Sequence, residues 1–310
     1  MIILPNRGMS RSVNKHQIKL EILTEWIEAS ILFSDEEISR AEVCDRLVEE
    51  ETYDSQDFAL EMVDAAWNEI ERRRSLCSGA YALTVDGEWI RRTDAWDSKP
   101  AHVFCTLLSI SAAYDWWVTE FGRDYTEQGE LFEILTANAL ETIAPDWQTF
   151  LTGWSKGNTD GFSAIANEVC QLVGDGDPDL DMWNKDRAKD MTLDILFYRP
   201  FPDGRQGFPY FMVQCASGAD WPKKVRDPDL SVWSKIIRPL THPMRGVAIP
   251  HCCSEREFRQ YCVKTEGLLL DRCRLLGASQ IKSAWLQESV ADRIKVWASP
   301  RIDKLLARSK

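Results

Sequence analysis

Residues 211–224 read FMVQCASGADWPKK. The apolar run Phe211 to Val213 has strand character, carries Gln214, and passes into the small residues Ala216, Ser217 and Gly218. Gly218 permits a sharp turn. Lys223 and Lys224, at the start of the next segment, can therefore fold back towards the end of the strand. What that strand does depends on its neighbours.

Upstream, EQGELFEILTANALETIA places Leu131, Leu135, Ala139 and Ile143 on one side of a helix. DWQTFLTGW has the length of a short strand, DGFSAIANEVCQLV is an inserted helix, and a polar loop rich in Asp and Gly follows. MTLDILFYRPF and YFMVQCAS are strands joined by PDGRQGFP. LSVWSKIIRPL then reads as a helix, RGVAIPH as a strand, and the remainder as mostly helical. With the inserted helix set aside, the order is α-β-β-β-α-β in a mixed α/β (α+β) fold.

That order carries an acid on the first helix (Glu133 in GELFEIL), Asp194 on the second strand (TLDIL) and Gln214 on the third (VQCASG). It resembles the PD-(D/E)XK nuclease superfamily, the restriction-endonuclease-like fold, over residues 125–252. The resemblance implies a Mg²⁺- or Mn²⁺-dependent nuclease with Asp194 as the primary metal ligand, Glu133 as a second ligand or the holder of a metal-bound water, and Gln214 offering a neutral carbonyl oxygen. Such chemistry needs a hard cation on oxygen ligands, and one or two carboxylates suffice for magnesium. Glu130, one turn earlier, competes with Glu133, and Glu168 on the inserted helix is a further candidate.

The sequence departs from the pattern at Ala216, where the family places a lysine that stabilises developing charge. Lys224 first and Lys223 second are the residues that can replace it. The alternative is that both are surface lysines and the lysine function is lost.

Residues 16–93 have a different character. QIKLEILTEWIEASILF is a helix with Ile22, Leu23, Trp26 and Ile27 on one face, and Ser34/Glu37 and Ser39/Glu42 are two capping-box patterns. A third helix follows Asp54-Ser55 with Leu60, Val63, Trp67 and Ile70 facing a core, and YALTVDGEWIRR forms a hairpin at Asp86-Gly87. Three helices and a hairpin resemble a winged helix. Its third helix is acidic, leaving Arg72, Arg73, Arg74, Arg91 and Arg92 as phosphate contacts, so protein docking or a structural role is expected ahead of DNA reading. The expected division is a winged-helix-like domain at 1–96 and a nuclease-like domain at 97–310. AHVFCTLLSISAAYDWWVTEF reads as one further buried helix, whose tryptophans belong to the core.

The 310 residues carry a net charge of −12, but the balance is uneven. Only Lys19, Arg40 and Arg46 offset the acids between Gln17 and Glu71, whereas bases gather beyond Trp221. No run of about twenty apolar residues suggests a membrane span, and no secretory leader is evident at the start. Nine cysteines without a CxxC pair point to reduced thiols and a cytoplasmic setting. His251-Cys252-Cys253 with His242 is a weak zinc pattern. Trp221 can stack on a base or pack the following segment, and GLLLDRCRLLG reads as an amphipathic helix in which Asp271 and Arg272 pair.

The expected function is DNA cleavage by an effector subunit of a bacterial anti-phage or restriction system. The chain lacks GxxxxGK[ST], so an ATP-driven motor on the chain itself is not expected. By analogy with the fold it resembles, an ATPase, helicase or sensor partner would control cutting. A homo-oligomer is also expected. An inactive nuclease fold serving assembly, or a winged-helix regulator, are the alternatives.

Overall fold

A computed structural model describes residues 1–9, 18–153, 161–180 and 192–309. His16, the start of the first helix, the N-terminal flanks of the segments at 160 and 191, and the polar loop beyond residue 180 lie outside these.

The chain begins with α1 (Leu20–Phe33), β1 (Glu37–Ser39), α2 (Arg40–Glu49) and α3 (Gln56–Cys77), followed by the hairpin β2 (Leu83–Asp86) and β3 (Trp89–Arg92). The Ser39/Glu42 capping box opens α2 as expected. The Ser34/Glu37 pattern opens no helix: Ser34 closes α1, and Glu37 to Ser39 pair with Arg91 to Trp89 as an edge strand of a three-stranded sheet. On α3, Ala59, Val63, Ala66, Trp67 and Ile70 face inward, whereas Leu60 is exposed. The buried stripe is therefore displaced by one residue at its start.

The long apolar segment is two helices, α4 (Pro100–Ser111) and α5 (Trp117–Phe121). Then come α6 (Thr126–Ile143), β4 (Gln148–Leu151), α7 (Phe162–Val173), β5 (Ile195–Tyr198), β6 (Tyr210–Cys215), α8 (Leu230–Ile237), β7 (Met244–Ala248), α9 (Glu255–Thr265), β8 (Gly267–Leu270), α10 (Arg272–Leu276) and α11 (Glu288–Arg308). The protein is a mixed helix-and-sheet fold with a five-stranded sheet ordered β4-β5-β6-β7-β8. β5 runs antiparallel to both β4 and β6, and β6, β7 and β8 run parallel. GLLL, expected as helix, is the edge strand β8. It is too short and too uniformly apolar to distinguish the two by periodicity alone.

A cluster of buried side chains runs from Ile2 to Leu305 and takes in α1, α3, α4, α6, α10 and α11, on both sides of residue 96. Its polar centre is a group of charges. Glu25 and Glu28 of α1, Arg73 of α3 and Arg272 of α10 are almost completely excluded from solvent. Arg73 Nη1 donates to Glu25 at 2.8 Å and lies 3.2 Å from Glu28. Arg272 Nη2 donates to Glu25 at 2.6 Å, and its Nη1 to Glu28 at 3.0 Å. The rest of the Arg272 fork is used by the carbonyl of Pro250 and the hydroxyl of Thr106, and Tyr81 donates to Glu28. Arg272 thus pairs with α1, not with its neighbour Asp271. Asp271 instead caps α10 by accepting from the Arg274 N–H.

The other basic residues considered for DNA contact are also engaged. Arg72 is held by Glu69 and the carbonyl of Cys253, Arg74 by Glu71, Arg91 by Glu37 and Asp86, and Arg92 by the carbonyl of Leu32.

Removing one member of this group strands buried charge. Arg272→Ala leaves Glu25 and Glu28 facing Arg73 alone, and is expected to cost about 3–5 kcal/mol in urea denaturation. A separate pH dependence comes from His102, fully buried on α4. Burial first, then the charge of Arg272, brings its pKa down from 6.5 to about 3. Between those values the unfolded chain binds a proton that the folded chain refuses. This contribution is complete above pH 6.5 and is lost as the pH falls towards 3. Glu69 acts in the same sense: burial opposes its charge, but Arg72 and Arg73 outweigh it and lower its pKa. The urea midpoint should fall through this range, and less steeply in His102→Asn.

Candidate functional site

Three of the residues expected from sequence meet at one end of the five-stranded sheet. Asp194 directly precedes β5. Its N–H donates to the carbonyl of Val213, and its carbonyl accepts from the N–H groups of Thr152 at 2.8 Å and Gly153 at 3.3 Å. The last residues of β4 and the start of β5 are thereby laid side by side. Gln214 lies on the adjoining strand β6, opposite Val247 of β7. Glu133 comes from α6, where it is buried with Leu131, Phe132 and Leu135.

Gly153 explains how the two carboxylates come close. A Cβ on this residue would stand 2.5 Å from Glu133 Oε1 and 2.7 Å from Asp194 Oδ1. Both oxygens therefore border the same small volume, which only a residue without a side chain leaves open. The other oxygen of Asp194, Oδ2, accepts from Gln214 Nε2 at 2.6 Å and from the Cys215 N–H at 2.6 Å. Glu133, Asp194 and Gln214 are all buried, at 1%, 4% and 7% exposure.

Gln214 presents its amide nitrogen to Asp194, where a carbonyl oxygen had been expected. Its Oε1 is buried and meets no donor. The Cys215 thiol is pushed well up, by burial first and then by the charges of Asp194 and Glu133. The thiol is therefore neutral and not a nucleophile.

Glu130 forms an ion pair with Arg293 of α11 at 3.0 Å and points to that contact. Glu168 is half-buried on α7. Lys223 ends a short turn at Trp221–Lys223. Lys224 follows it, 3.9 Å from Asp220 and also close enough to Asp227 to influence it electrostatically. Ala216, where the lysine of the pattern would stand, is 1% exposed and packs with Val247, Ile249, Cys253 and Leu269. Trp221 is half-buried against Tyr261, with ring centroids 4.4 Å apart.

Two features were missed in the sequence. Gly153 was read only as part of a strand segment, although TGW at its end did mark a break. The Cys215 N–H carried no signal at all. Among the described residues no trio of His, Cys, Asp or Glu is grouped to hold a metal ion. The site offers two carboxylates and a carboxamide. At His251-Cys252-Cys253, Cys252 faces Cys273 with sulfurs 3.4 Å apart, while Cys253 packs in a different cluster. Among the described residues no helix is long and apolar enough to cross a membrane.

No family model, curated protein or solved structure matches this chain.

The shared volume at Gly153 can be tested by stability alone. Gly153→Ala forces the carboxylates apart and is expected to cost about 1–3 kcal/mol in urea denaturation, as overpacking does. Combined with Asp194→Ala, the added methyl gains room, so the pair should cost less than the two single changes together. Simple additivity would mean that Gly153 and Asp194 do not share that space.

Proposed function

We propose that the chain is a metal-dependent nuclease that cleaves DNA, with a restriction-endonuclease-like core and a winged-helix-like N-terminal adaptor. The observation that carries this reading is the meeting of Glu133 and Asp194 at Gly153. It occurs on an α-β-β-β-α-β arrangement in which the third strand is antiparallel to the second and parallel to the fourth.

The donor set suits a hard cation. All the available ligands are oxygens, and the buried, unpaired Oε1 of Gln214 is a polar atom in want of a partner. Glu133, Asp194 and Gln214 would hold Mg²⁺ or Mn²⁺, which when bound neutralises charge on phosphoryl oxygens and lowers the pKa of water. The chain's own residues prepare the place. Gln214 Nε2 and the Cys215 N–H fix Asp194 by one oxygen and leave the other towards Glu133. Gly153 keeps that space free of side chain.

Lys224, with Lys223 beside it, supplies positive charge from the loop that follows β6. The contact with Asp220 is long and partly exposed, so it is weak and readily exchanged for a phosphate oxygen. The internal engagement of Arg72, Arg73, Arg74, Arg91 and Arg92 favours a protein-docking role for residues 1–96, consistent with an ATPase, helicase or sensor partner in a defence system.

A second reading, an inactive nuclease fold used in assembly, draws on Ala216. Its place is filled by apolar packing, and a lysine there would have no room.

Linear, circular and single-stranded DNA incubated with Mg²⁺ or Mn²⁺ separate the two. The nuclease reading expects cleavage by the unaltered chain, at least 10²-fold loss in Asp194→Ala, and a comparable loss in Lys224→Ala. Loss in Lys223→Ala instead would move the charge-stabilising role one residue back. Absence of cleavage, alone and with the products of neighbouring genes, would leave the assembly reading standing.

A further inference from the structure

Four buried cysteines gather at the charge group. Cys77, Cys105 and Cys252 all feel the charge of Arg272, and Cys273 follows it in sequence. Cys77 and Cys105 are fully sealed, whereas Cys252 and Cys273 are each 5% exposed. The sulfurs of these last two stand 3.4 Å apart, and Cys77 also hydrogen-bonds to Cys273.

The backbone brings Cys252 and Cys273 together. Beyond the paired residues of β7 and β8 the two segments stay side by side. The Ile249 N–H donates to the Leu270 carbonyl at 2.8 Å, and the Arg272 N–H to the His251 carbonyl at 3.0 Å. Each cysteine is the residue that follows one end of this last bond. Bonded segments run about 5 Å apart, and disulfides span Cα separations of about 4.4–6.8 Å. The sulfurs have only to close from 3.4 Å to about 2.05 Å, a shift within the reach of side-chain rotation. Cys253 does not compete, because its N–H is held by Asp271 and its side chain packs in another cluster.

We propose that Cys252 and Cys273 are a peroxide-sensitive dithiol whose disulfide staples the end of β7 to α10. One sulfur gives an electron pair to a peroxide oxygen, the O–O bond breaks, and a sulfenic acid and water result. The second thiol then attacks that sulfur, forms the S–S bond and expels a second water, its own proton leaving with the hydroxyl. The two sulfurs lose two electrons in all, and the peroxide gains them. Burial first, then the Cys273 thiol, push the Cys252 thiol well up against the opposing charges of Arg272 and Arg73. Little thiolate is therefore present and the oxidation is slow. The staple crosses the joint at which Arg272 holds the carbonyl of Pro250, between the sheet and the buried charges. It is independent of the nuclease reading.

The full chain is incubated with hydrogen peroxide for hours, then denatured in a thiol-alkylating reagent and weighed. Two of the nine cysteines should escape alkylation, and peptide mapping should find residues 252 and 273 joined. A thiol reductant should restore both. The same link should form in Cys253→Ser and be absent from Cys273→Ala. The bond joins residues 21 apart. Oxidation should therefore raise the melting temperature of the unaltered chain by about 5 °C, and leave that of Cys273→Ala no higher. Mapping on the unaltered chain keeps the test valid should a variant fail to fold. Nine alkylated cysteines after peroxide would overturn the proposal, as would a link between Cys77 and Cys273. A link between residues 252 and 273 with no gain in melting temperature would overturn the staple.

Discussion

Four buried charges, Glu25, Glu28, Arg73 and Arg272, join helices that are far apart in the chain. Each arginine contacts both carboxylates, and Thr106, Pro250, Tyr81 and Glu69 bond to further polar atoms of the set. Charges this deep are tolerable only as a complete set. The set therefore specifies how α1, α3 and α10 must sit, because any other arrangement leaves a charge without its counter-charge. The apolar contacts around it supply the bulk of the stabilisation but would accept several registers. The five-stranded sheet is fixed to this frame by the backbone between β7 and α10, where Arg272 holds the carbonyl of Pro250.

The carboxylate site is built by a similar logic on a smaller scale. Two carboxylates approach where a backbone N–H and a carboxamide hold one of them and Gly153 contributes no side chain between them. Strand pairing does the positioning. The bonds from Thr152 and Gly153 to the Asp194 carbonyl align the end of β4 with the start of β5, and the bond from Asp194 to Val213 aligns that start with β6. Ala216 faces an apolar cluster, so the strand that carries Gln214 changes its surroundings from polar to apolar within two residues.

Much of this could be read before the fold was known, because it follows from local pattern. The strands around Gln214, the helix bearing Glu133, the hairpin at Asp86-Gly87 and the Ser39/Glu42 cap all stand where periodicity and turn chemistry put them. The convergence of Glu133, Asp194 and Gln214 was expected through the family resemblance that their element order carries. What stayed hidden depends on partners distant in sequence. Arg73 and Arg272 look like surface arginines until α1 is placed against them. GLLL reads equally as helix or strand until β7 offers an edge, and Leu60 occupies a helical position whose exposure is set by neighbours. Glu130 and Glu133 look alike in sequence, and only the fold shows that Arg293, on α11, claims the first while the second is buried.

The distance along the chain between Glu28 and Arg272 is 244 residues. At a synthesis rate of about 5–20 residues per second, the helix bearing both glutamates leaves the ribosome roughly ten to fifty seconds before the arginine that completes their neutralisation. During that interval α1 can pack on α3 through Arg73, but it holds one charge too many to be sealed from water. The growing chain is thus kept from closing on its own first third. Final burial of α1 waits for the segment that also carries β7 and β8, so the sheet and the helical frame are joined in the same late event.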